Sequence, residues 1–119
     1  MTENEVIELF CKVGALLEGH FLYTSGRHGR HFLQAARVLQ FSSQTERLCQ
    51  AIAERFREDG VEAVCGPAMG GILLAYETAR HLTSRALFTE RDESGGMGLK
   101  RGFRVGPGTR VLVVEDIIT

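Results

Sequence analysis

Two adjacent carboxylates, Glu115 and Asp116, are the residues of this sequence best placed to bind a ligand. They follow the apolar run 111–114, whose four consecutive β-forming residues predict a strand buried on both faces in the middle of a parallel sheet. Because an unpaired carboxylate is costly to bury, we expect the pair at the strand's carboxyl end, where open α/β sheets bind ligands.

A glycine-rich turn at 66–71 is the second candidate for ligand binding. It lies between a predicted strand, 61–65, and residues with helical periodicity, 72–82. In a strand, glycine turn and helix, free N–H groups at the helix start can bind phosphate oxygens. A tight connection between a strand and a helix would give the same pattern, so both interpretations stay open.

A local basic cluster lies between residues 27 and 37 and suits an anionic ligand. Its members are Arg27, His28, Arg30, His31 and Arg37. A solvated hairpin rim is the alternative interpretation. His28 and His31 have the spacing of a metal-ligand pair, but no further ligands lie nearby in the sequence, so no protein metal site is predicted.

The segment 90–108 has no periodicity and contains six glycines. Long connections without regular structure are usually functional lids or disordered. Its cations, Arg91, Lys100, Arg101 and Arg104, could close over an anion. An exposed hairpin with solvated charges is the alternative.

Alternating helices and strands must position these residues. Helical spacing predicts an amphipathic helix over 3–17, with Thr2 and Glu5 as a capping box and Gly19 as its end. Ser42 or Ser43 is expected to cap a second helix that runs to about Asp59 and stops at Gly60. The other expected elements are strands over 21–24, 32–39, 61–65, 85–89 and 111–114, and a helix over 72–82. This order predicts an α/β fold with a largely parallel sheet.

The composition narrows the possible functions. The 119 residues suit one domain, with 44% hydrophobic residues to form a core. A net charge of −1 argues against a nucleic-acid binder and against a membrane-surface role. No stretch approaches the roughly 18 apolar residues of a membrane span. Three separated cysteines without a CxxC pair are typical of free thiols, which predicts a cytoplasmic protein.

Four motifs together resemble a known family. The segment 111–119, Val-Leu-Val-Val-Glu-Asp-Ile-Ile-Thr, resembles the start of the phosphoribosyl pyrophosphate (PRPP) fingerprint of type I phosphoribosyltransferases. Gly-His-Phe-Leu-Tyr-Thr-Ser-Gly-Arg at 19–27, Cys-Gly-Pro-Ala-Met-Gly-Gly at 65–71 and Phe-Thr-Glu-Arg at 88–91 extend the likeness to the orotate phosphoribosyltransferases. These glycosyltransferases convert PRPP and orotate to orotidine 5′-monophosphate and pyrophosphate in pyrimidine (UMP) biosynthesis.

The resemblance implies a parallel sheet flanked by helices with a small N-terminal hood. Residues 1–119 would be a single, incomplete domain, with the helix and hood at 1–40 and part of the α/β core at 41–119. The C-terminal part would be missing, since the chain stops inside the PRPP motif, and the 119-residue piece is therefore expected to be inactive.

The resemblance also implies roles for individual residues. Glu115 and Asp116 would hold the ribose hydroxyls of PRPP. The 5-phosphate loop would begin with Ile117, Ile118 and Thr119, and Thr119 would also lie near orotate. Met69 and Gly70 would bind pyrophosphate through the backbone. Further expected contacts are Phe32 and Leu33 on the orotate ring, and Arg91, Lys100 and Arg101 in a PRPP-binding lid, with Lys100 a catalytic candidate.

The resemblance also implies a cofactor and a homodimer, and the sequence departs from the family pattern at two positions. Mg²⁺ would arrive on PRPP without direct protein ligands, and the lid would serve the neighbouring site of a homodimer. Thr24 stands where many family members have Lys, and Asp92 stands in the lid where many have Lys after Arg91. A purine-specific type I transferase and a non-catalytic PRPP-binding regulatory module are the alternative functions.

Overall fold

A computed structural model describes residues 1–22 and 26–118. Four helices and six strands are assigned in those ranges. The helices are α1 (Glu3–Lys12), α2 (Ala35–Leu39), α3 (Ser42–Phe56) and α4 (Gly70–Leu82); the strands are β1 (Leu16–Leu22), β2 (His28–Leu33), β3 (Ala63–Pro67), β4 (Arg85–Arg91), β5 (Met97–Leu99) and β6 (Val111–Val113).

The main sheet has four strands in the order β5-β4-β3-β6. β3 pairs in parallel with both β4 and β6, and β5 joins the far side of β4 as an antiparallel strand. α4 packs on β3 and β4, and α3 packs on α4. The expected α/β fold with a largely parallel sheet and flanking helices is therefore confirmed.

The hydrophobic core lies where α3 and α4 meet the sheet. Val64 on β3 is fully buried, and Cys49, Leu74 and Ala75 pack in the same cluster with Val114. Full burial of one such aliphatic side chain stabilises a fold by about 1.5–3 kcal/mol. This packing fixes where β3 and β6 end, and so positions the turn and the acid pair that follow those strands.

The N-terminal prediction of one helix over 3–17 is wrong. α1 ends at Lys12, because Gly14 adopts a φ of 72° that lies outside the helical region. Leu16 and Leu17 instead pair with Leu33 and Phe32 in a two-stranded antiparallel sheet. The expected cap is present, since the Thr2 hydroxyl accepts a hydrogen bond from the Glu5 amide at 3.2 Å.

The predicted strand over 32–39 is also wrong beyond Leu33. β2 ends there, and Ala35, Val38 and Leu39 form the buried face of the short helix α2. Their spacing of three and four residues is helical, although the β-like run that precedes the segment favours a strand in the sequence. Of the expected strand over 21–24, residues 21 and 22 belong to β1, which begins earlier, at Leu16, and residues 23 and 24 lie outside the described residues.

The second predicted helix differs from the observed helix α3 at both ends. α3 begins at Ser42 with Phe41 at the N-cap position, which makes no side-chain cap, and it ends at Phe56. Neither serine therefore supplies the expected cap. Gly60 follows with a φ of 65° in the turn before β3.

β6 is not buried on both faces as predicted. Among the described residues it is the outermost strand beside β3, and the Val113 side chain is 72% exposed. Side chains alternate across a strand, so Leu112 and Val114 reach the core while Val113 faces the opposite side. An unbroken apolar run does not reveal whether a strand has one neighbour or two. No helix among the described residues has the length and apolar character needed to cross a membrane.

Candidate functional site

The structure brings the acid pair against the glycine turn. β6 and β3 run in parallel, and the Val114 amide continues their pairing by donating to the Cys65 carbonyl at 2.9 Å. The segments that follow β3 and β6 therefore leave the sheet at the same edge. A methyl group at Gly70 would collide with the Asp116 carboxylate and lie 2.6 Å from its Cγ. The carboxylate thus occupies the space that a side chain at position 70 would need.

The glycine turn depends on close backbone packing between β3 and α4. A Cβ atom at Gly66 would lie 2.7 Å from the Gly71 carbonyl carbon, and one at Gly71 would lie 2.6 Å from Pro67 Cδ. The Ala68–Met69 peptide is cis, and the Ala68 amide donates to the Thr89 carbonyl on β4 at 2.8 Å. The turn is therefore held between the ends of two strands.

The start of α4 offers N–H groups to an anion. Met69 occupies the N-cap position without a side-chain cap, and its own side chain is 83% exposed. First-turn amides commonly lack intrahelical acceptors, although the Ile72 amide here donates to the Met69 carbonyl at 3.1 Å. The helix dipole adds partial positive charge at this end. The 13-residue helix therefore directs a favourable field for anions toward the turn. The Asp116 carboxylate lies beside this helix start.

The two carboxyl groups differ in their hydrogen bonds and solvation. The Asp116 amide donates to Glu115 Oε1 at 3.1 Å, and the Ile117 amide donates to Asp116 Oδ1 at 3.0 Å. Partial removal from water raises the pKa of Glu115, and the neighbouring Asp116 carboxyl adds to the increase. Groups that donate hydrogen bonds or carry positive charge would relieve this destabilisation of the charged form.

The segment 90–108, for which the sequence left a lid and an exposed hairpin open, contains a hairpin. β4 extends to Arg91 and pairs with β5, with Glu90 opposite Gly98. Asp92 organises the turn, since its Oδ1 accepts from the Ser94 amide at 3.0 Å and from the Gly96 amide at 2.9 Å. The Ser94 hydroxyl also donates to Asp92 Oδ1, and this hydrogen bond is the main cause that lowers the pKa of Asp92. The two amide hydrogen bonds lower it further. Asp92 therefore has a structural role at the position where many family members have Lys.

Three predicted lid cations make internal contacts in this hairpin. Arg91 Nη1 donates to the Gly95 carbonyl at 2.9 Å, and Lys100 Nζ donates to the Arg91 carbonyl at 2.8 Å. Arg101 instead binds the Glu90 carboxylate with two hydrogen bonds, from Nε at 2.8 Å and from Nη2 at 2.9 Å. Only Arg101 among these three is paired with a carboxylate. The fourth cation of the segment, Arg104, accepts through its backbone carbonyl from Arg85.

The basic cluster of residues 27–37 is divided among separate contacts. Arg37 on α2 donates to the Gly14 carbonyl at 2.9 Å, which ties α2 to the end of α1. His28 Nδ1 lies 2.8 Å from His20 Nε2 across the hairpin, and His31 Nε2 lies 3.7 Å from Glu18 Oε1. Arg37, His28 and His31 therefore make three separate contacts within the protein.

The predicted orotate contacts lie on the separate β1-β2 sheet. Phe32 and Leu33 are half-buried on β2, and the Phe32 ring stacks on Phe21 with centroids 5.6 Å apart. Ile117 and Ile118 follow the acid pair and are exposed. Thr119, assigned to the phosphate loop and to orotate, lies outside the described residues, as does Thr24.

Sequence analysis missed a charged cluster on α3 and α4. Single ligand atoms of Glu46, Glu77 and His81 lie within 4.8 Å of one another, a grouping that could hold a metal ion. However, Arg80 Nη2 donates to Glu46 at 3.0 Å and to Glu77 at 2.6 Å, so an arginine already supplies the positive charge. The hydrogen bond from Arg80 also lowers the pKa of Glu77. The spacing of Glu77, Arg80 and His81 along one helix was the available signal.

Comparisons with known proteins agree with this arrangement. The chain is 55% identical over its full length to the orotate phosphoribosyltransferase of Desulforamulus reducens. The crystal structure of orotate phosphoribosyltransferase from Aeropyrum pernix superposes with a TM-score of 0.71 at 24% identity, covering 91% of this chain and 62% of that one. The chain has the type I phosphoribosyltransferase fold.

An adenine phosphoribosyltransferase also has a similar fold. The adenine phosphoribosyltransferase of Rhodothermus marinus gives a TM-score of 0.64 at 20% identity, covering 95% of this chain and 71% of that one. No protein-family model matches the chain. The chain spans 62% of the length of the Desulforamulus reducens relative. The sequence resemblance to the orotate phosphoribosyltransferases is thus confirmed over all 119 residues.

Proposed function

We propose that the complete protein containing this chain is an orotate phosphoribosyltransferase, which transfers the phosphoribosyl group of PRPP to orotate. The observation that carries the proposal is the packing of the Asp116 carboxylate against Gly70, which joins a sugar-binding acid to an anion-binding turn. The 55% identity to a relative of that name supports orotate as the acceptor.

In the proposed reaction, pyrophosphate leaves the anomeric carbon of PRPP and a nitrogen of orotate takes its place. Positive charge grows on the sugar ring while negative charge grows on the leaving group, so the protein needs no nucleophile of its own. Glu115 and Asp116 orient the ribose hydroxyls and favour the positive charge. The surroundings of Glu115 destabilise its charged form. Hydrogen bonds donated by the ribose hydroxyls would stabilise that charged form.

The glycine turn and the start of α4 bind the pyrophosphate in this proposal. Met69 and Gly70 present backbone groups, and a side chain at Gly70 would displace Asp116. Mg²⁺ prefers oxygen ligands and keeps part of its water shell, so it would be held by PRPP oxygens and by water, with the carboxylates at this edge in contact through water only. When bound with PRPP, Mg²⁺ neutralises phosphate charge.

The hairpin 85–99 and the cations that follow it form the proposed lid. Lys100 and Arg101 bind the pyrophosphate, and Arg91 contributes from the end of β4. Closure excludes water, which would otherwise hydrolyse the activated sugar. We further propose a cytoplasmic homodimer in which each lid serves the neighbouring site, because Lys100 and Arg101 lie on an exposed extension of the sheet.

A purine acceptor is the second candidate, because an adenine phosphoribosyltransferase shares the fold. A base-competition assay separates the two. The complete protein is incubated with PRPP and Mg²⁺ and with orotate, adenine, hypoxanthine or guanine, and nucleotide formation is followed by chromatography. The proposal expects orotidine 5′-monophosphate as the dominant product. A purine nucleotide would overturn the choice of base, and PRPP binding without any product would favour a non-catalytic module.

A further inference from the structure

The contact between Glu90 and Arg101 joins the end of β4 to the segment that follows β5. The Glu90 carboxylate receives Nε and Nη2 of Arg101 at 2.8 and 2.9 Å, so the guanidinium fork is bound in a bidentate manner. Bidentate recognition of this kind is also how arginine binds phosphate oxygens. Glu90 therefore occupies the donor groups that would otherwise be offered to a diphosphate.

The position of this pair places it at the ligand-binding edge of the sheet. Thr89 pairs with Pro67, and its carbonyl accepts the Ala68 amide of the glycine turn at 2.8 Å. Glu90 is the next residue along β4. Along the chain, Glu90 thus lies one residue beyond the point where the β4 backbone contacts the turn assigned to pyrophosphate.

Arg101 is held by more than the carboxylate. Its guanidinium carbon lies 5.7 Å from the centroid of the Phe88 ring, within the range of a cation–π interaction. Phe88 in turn packs edge-on against Phe103 at 5.1 Å. The backbone of Arg101 has a φ of 59°, a conformation that non-glycine residues rarely adopt. These contacts define one particular position for the side chain.

We propose that Glu90 is a positioning residue that competes with the diphosphate of PRPP for Arg101, and so sets the affinity of the lid for that anion. The inference rests on the function proposed above. Arg91 and Lys100 donate to neutral carbonyls, so an incoming diphosphate has to displace a charged acceptor only at Arg101 among the three. Glu90 keeps the lid cation neutralised until a more highly charged anion replaces it.

Binding of inorganic pyrophosphate with Mg²⁺ to the complete protein tests this proposal by isothermal titration calorimetry. Glu90→Gln removes the competing charge and should lower the Kd for pyrophosphate roughly two- to fivefold, the range typical of exposed ion pairs. In the Arg101→Ala background, Glu90→Gln should change the Kd by less than the error. The matched control is Glu54→Gln, which breaks the Glu54–Arg57 pair on α3 and should leave the Kd unchanged.

An unchanged or higher Kd in Glu90→Gln overturns the proposal, because Glu90 would then leave Arg101 unaffected or help it bind. An equal gain in the Arg101→Ala background also overturns it, since the effect would be long-range charge alone. If wild type forms orotidine 5′-monophosphate but Glu90→Gln gains no affinity, only this inference fails. If wild type neither binds pyrophosphate nor forms product, the proposed function fails with it.

Discussion

At the scale of single residues, the site depends on a glycine and a carboxylate that share one space. Gly70 opens α4, and its missing side chain leaves room for the Asp116 carboxylate. The order of the sequence predicted that an acid pair after a strand and a glycine turn after a parallel strand would meet at one sheet edge. It did not predict which glycine contacts which acid, because that depends on the register of Cys65 with Val113.

Replacing Gly70 with alanine should therefore damage function more than stability. The added methyl group displaces the Asp116 carboxylate, while alanine suits a helix position better than glycine. We expect kcat/KM for PRPP to fall at least roughly tenfold, about 1.4 kcal/mol in transition-state binding. Steady-state kinetics and thermal melting provide the measurements. Gly106→Ala is the control, since its nearest neighbour would be Thr109 Oγ1 at 3.9 Å. Equal kinetics in both variants would contradict the assigned contact.

The raised pKa of Glu115 predicts how stability depends on pH. A carboxyl group whose pKa is higher in the folded state loses stabilisation as the pH rises from its unfolded value through its folded value. Glutamine does not titrate, so Glu115→Gln does not lose this stabilisation. The free energy of unfolding of the variant, relative to that of wild type, should therefore increase as the pH rises. Urea unfolding across a pH series that starts near the ordinary glutamate pKa of about 4.3 and ends at neutral pH measures the difference. A difference that stays constant, or that decreases with rising pH, would show that Glu115 is not destabilised in the folded state.

At the scale of elements, local sequence patterns predict some helices and strands, whereas long-range pairing decides others. The unit β3, glycine turn and α4 was predictable because a short β-rich run, glycines and a helical period follow one another. The hairpin β1-β2 was not, because Leu16 and Leu17 fit the helical period of α1 equally well. Their partners on β2 lie at Leu33 and Phe32, so only tertiary pairing decides between the two structures.

The end of α1 can be tested through Gly14. A side chain there would have to adopt a left-handed conformation and would lie 3.3 Å from Arg37 Nη1. Gly14→Ala should destabilise the protein by about 1–2 kcal/mol. The midpoint of urea denaturation measures this change, and Gly106→Ala again serves as the control because its φ is not positive. If Gly14→Ala is as stable as wild type, Gly14 does not enforce the helix end.

The proposed lid forms a distinct element, and substitutions in it should spare the core. The Lys100 ammonium donates to the Arg91 carbonyl, the Arg101 guanidinium binds the Glu90 carboxylate, and the Arg101 side chain is 64% exposed. Lys100→Ala and Arg101→Ala should raise KM for PRPP while shifting the melting temperature by no more than about 2 °C. Kinetics with varied PRPP and differential scanning fluorimetry test both parts. A large fall in melting temperature would identify these residues as part of the folding core.

At the scale of the whole molecule, the fold was predictable in class and the site in outline. The parallel sheet followed from the alternation of strands and helices, and Glu115, Asp116, Met69 and Gly70 share its carboxyl edge. The lid contacts could not be predicted, because Glu90 and Arg101 are eleven residues apart and meet only through the β4–β5 hairpin. Exposure of Val113 depends on what covers β6, which composition does not specify.

The measurement that tests the central claim most directly is PRPP binding in the presence of Mg²⁺, compared between the complete wild-type protein and its Asp116→Asn variant. Asp116→Asn retains the shape of the side chain but removes its charge. Calorimetry should show binding in wild type and at least roughly tenfold weaker binding in the variant, with unchanged circular dichroism. Equal affinity in the two proteins, or no PRPP binding by wild type, would contradict the claim that this sheet edge binds a phosphorylated sugar.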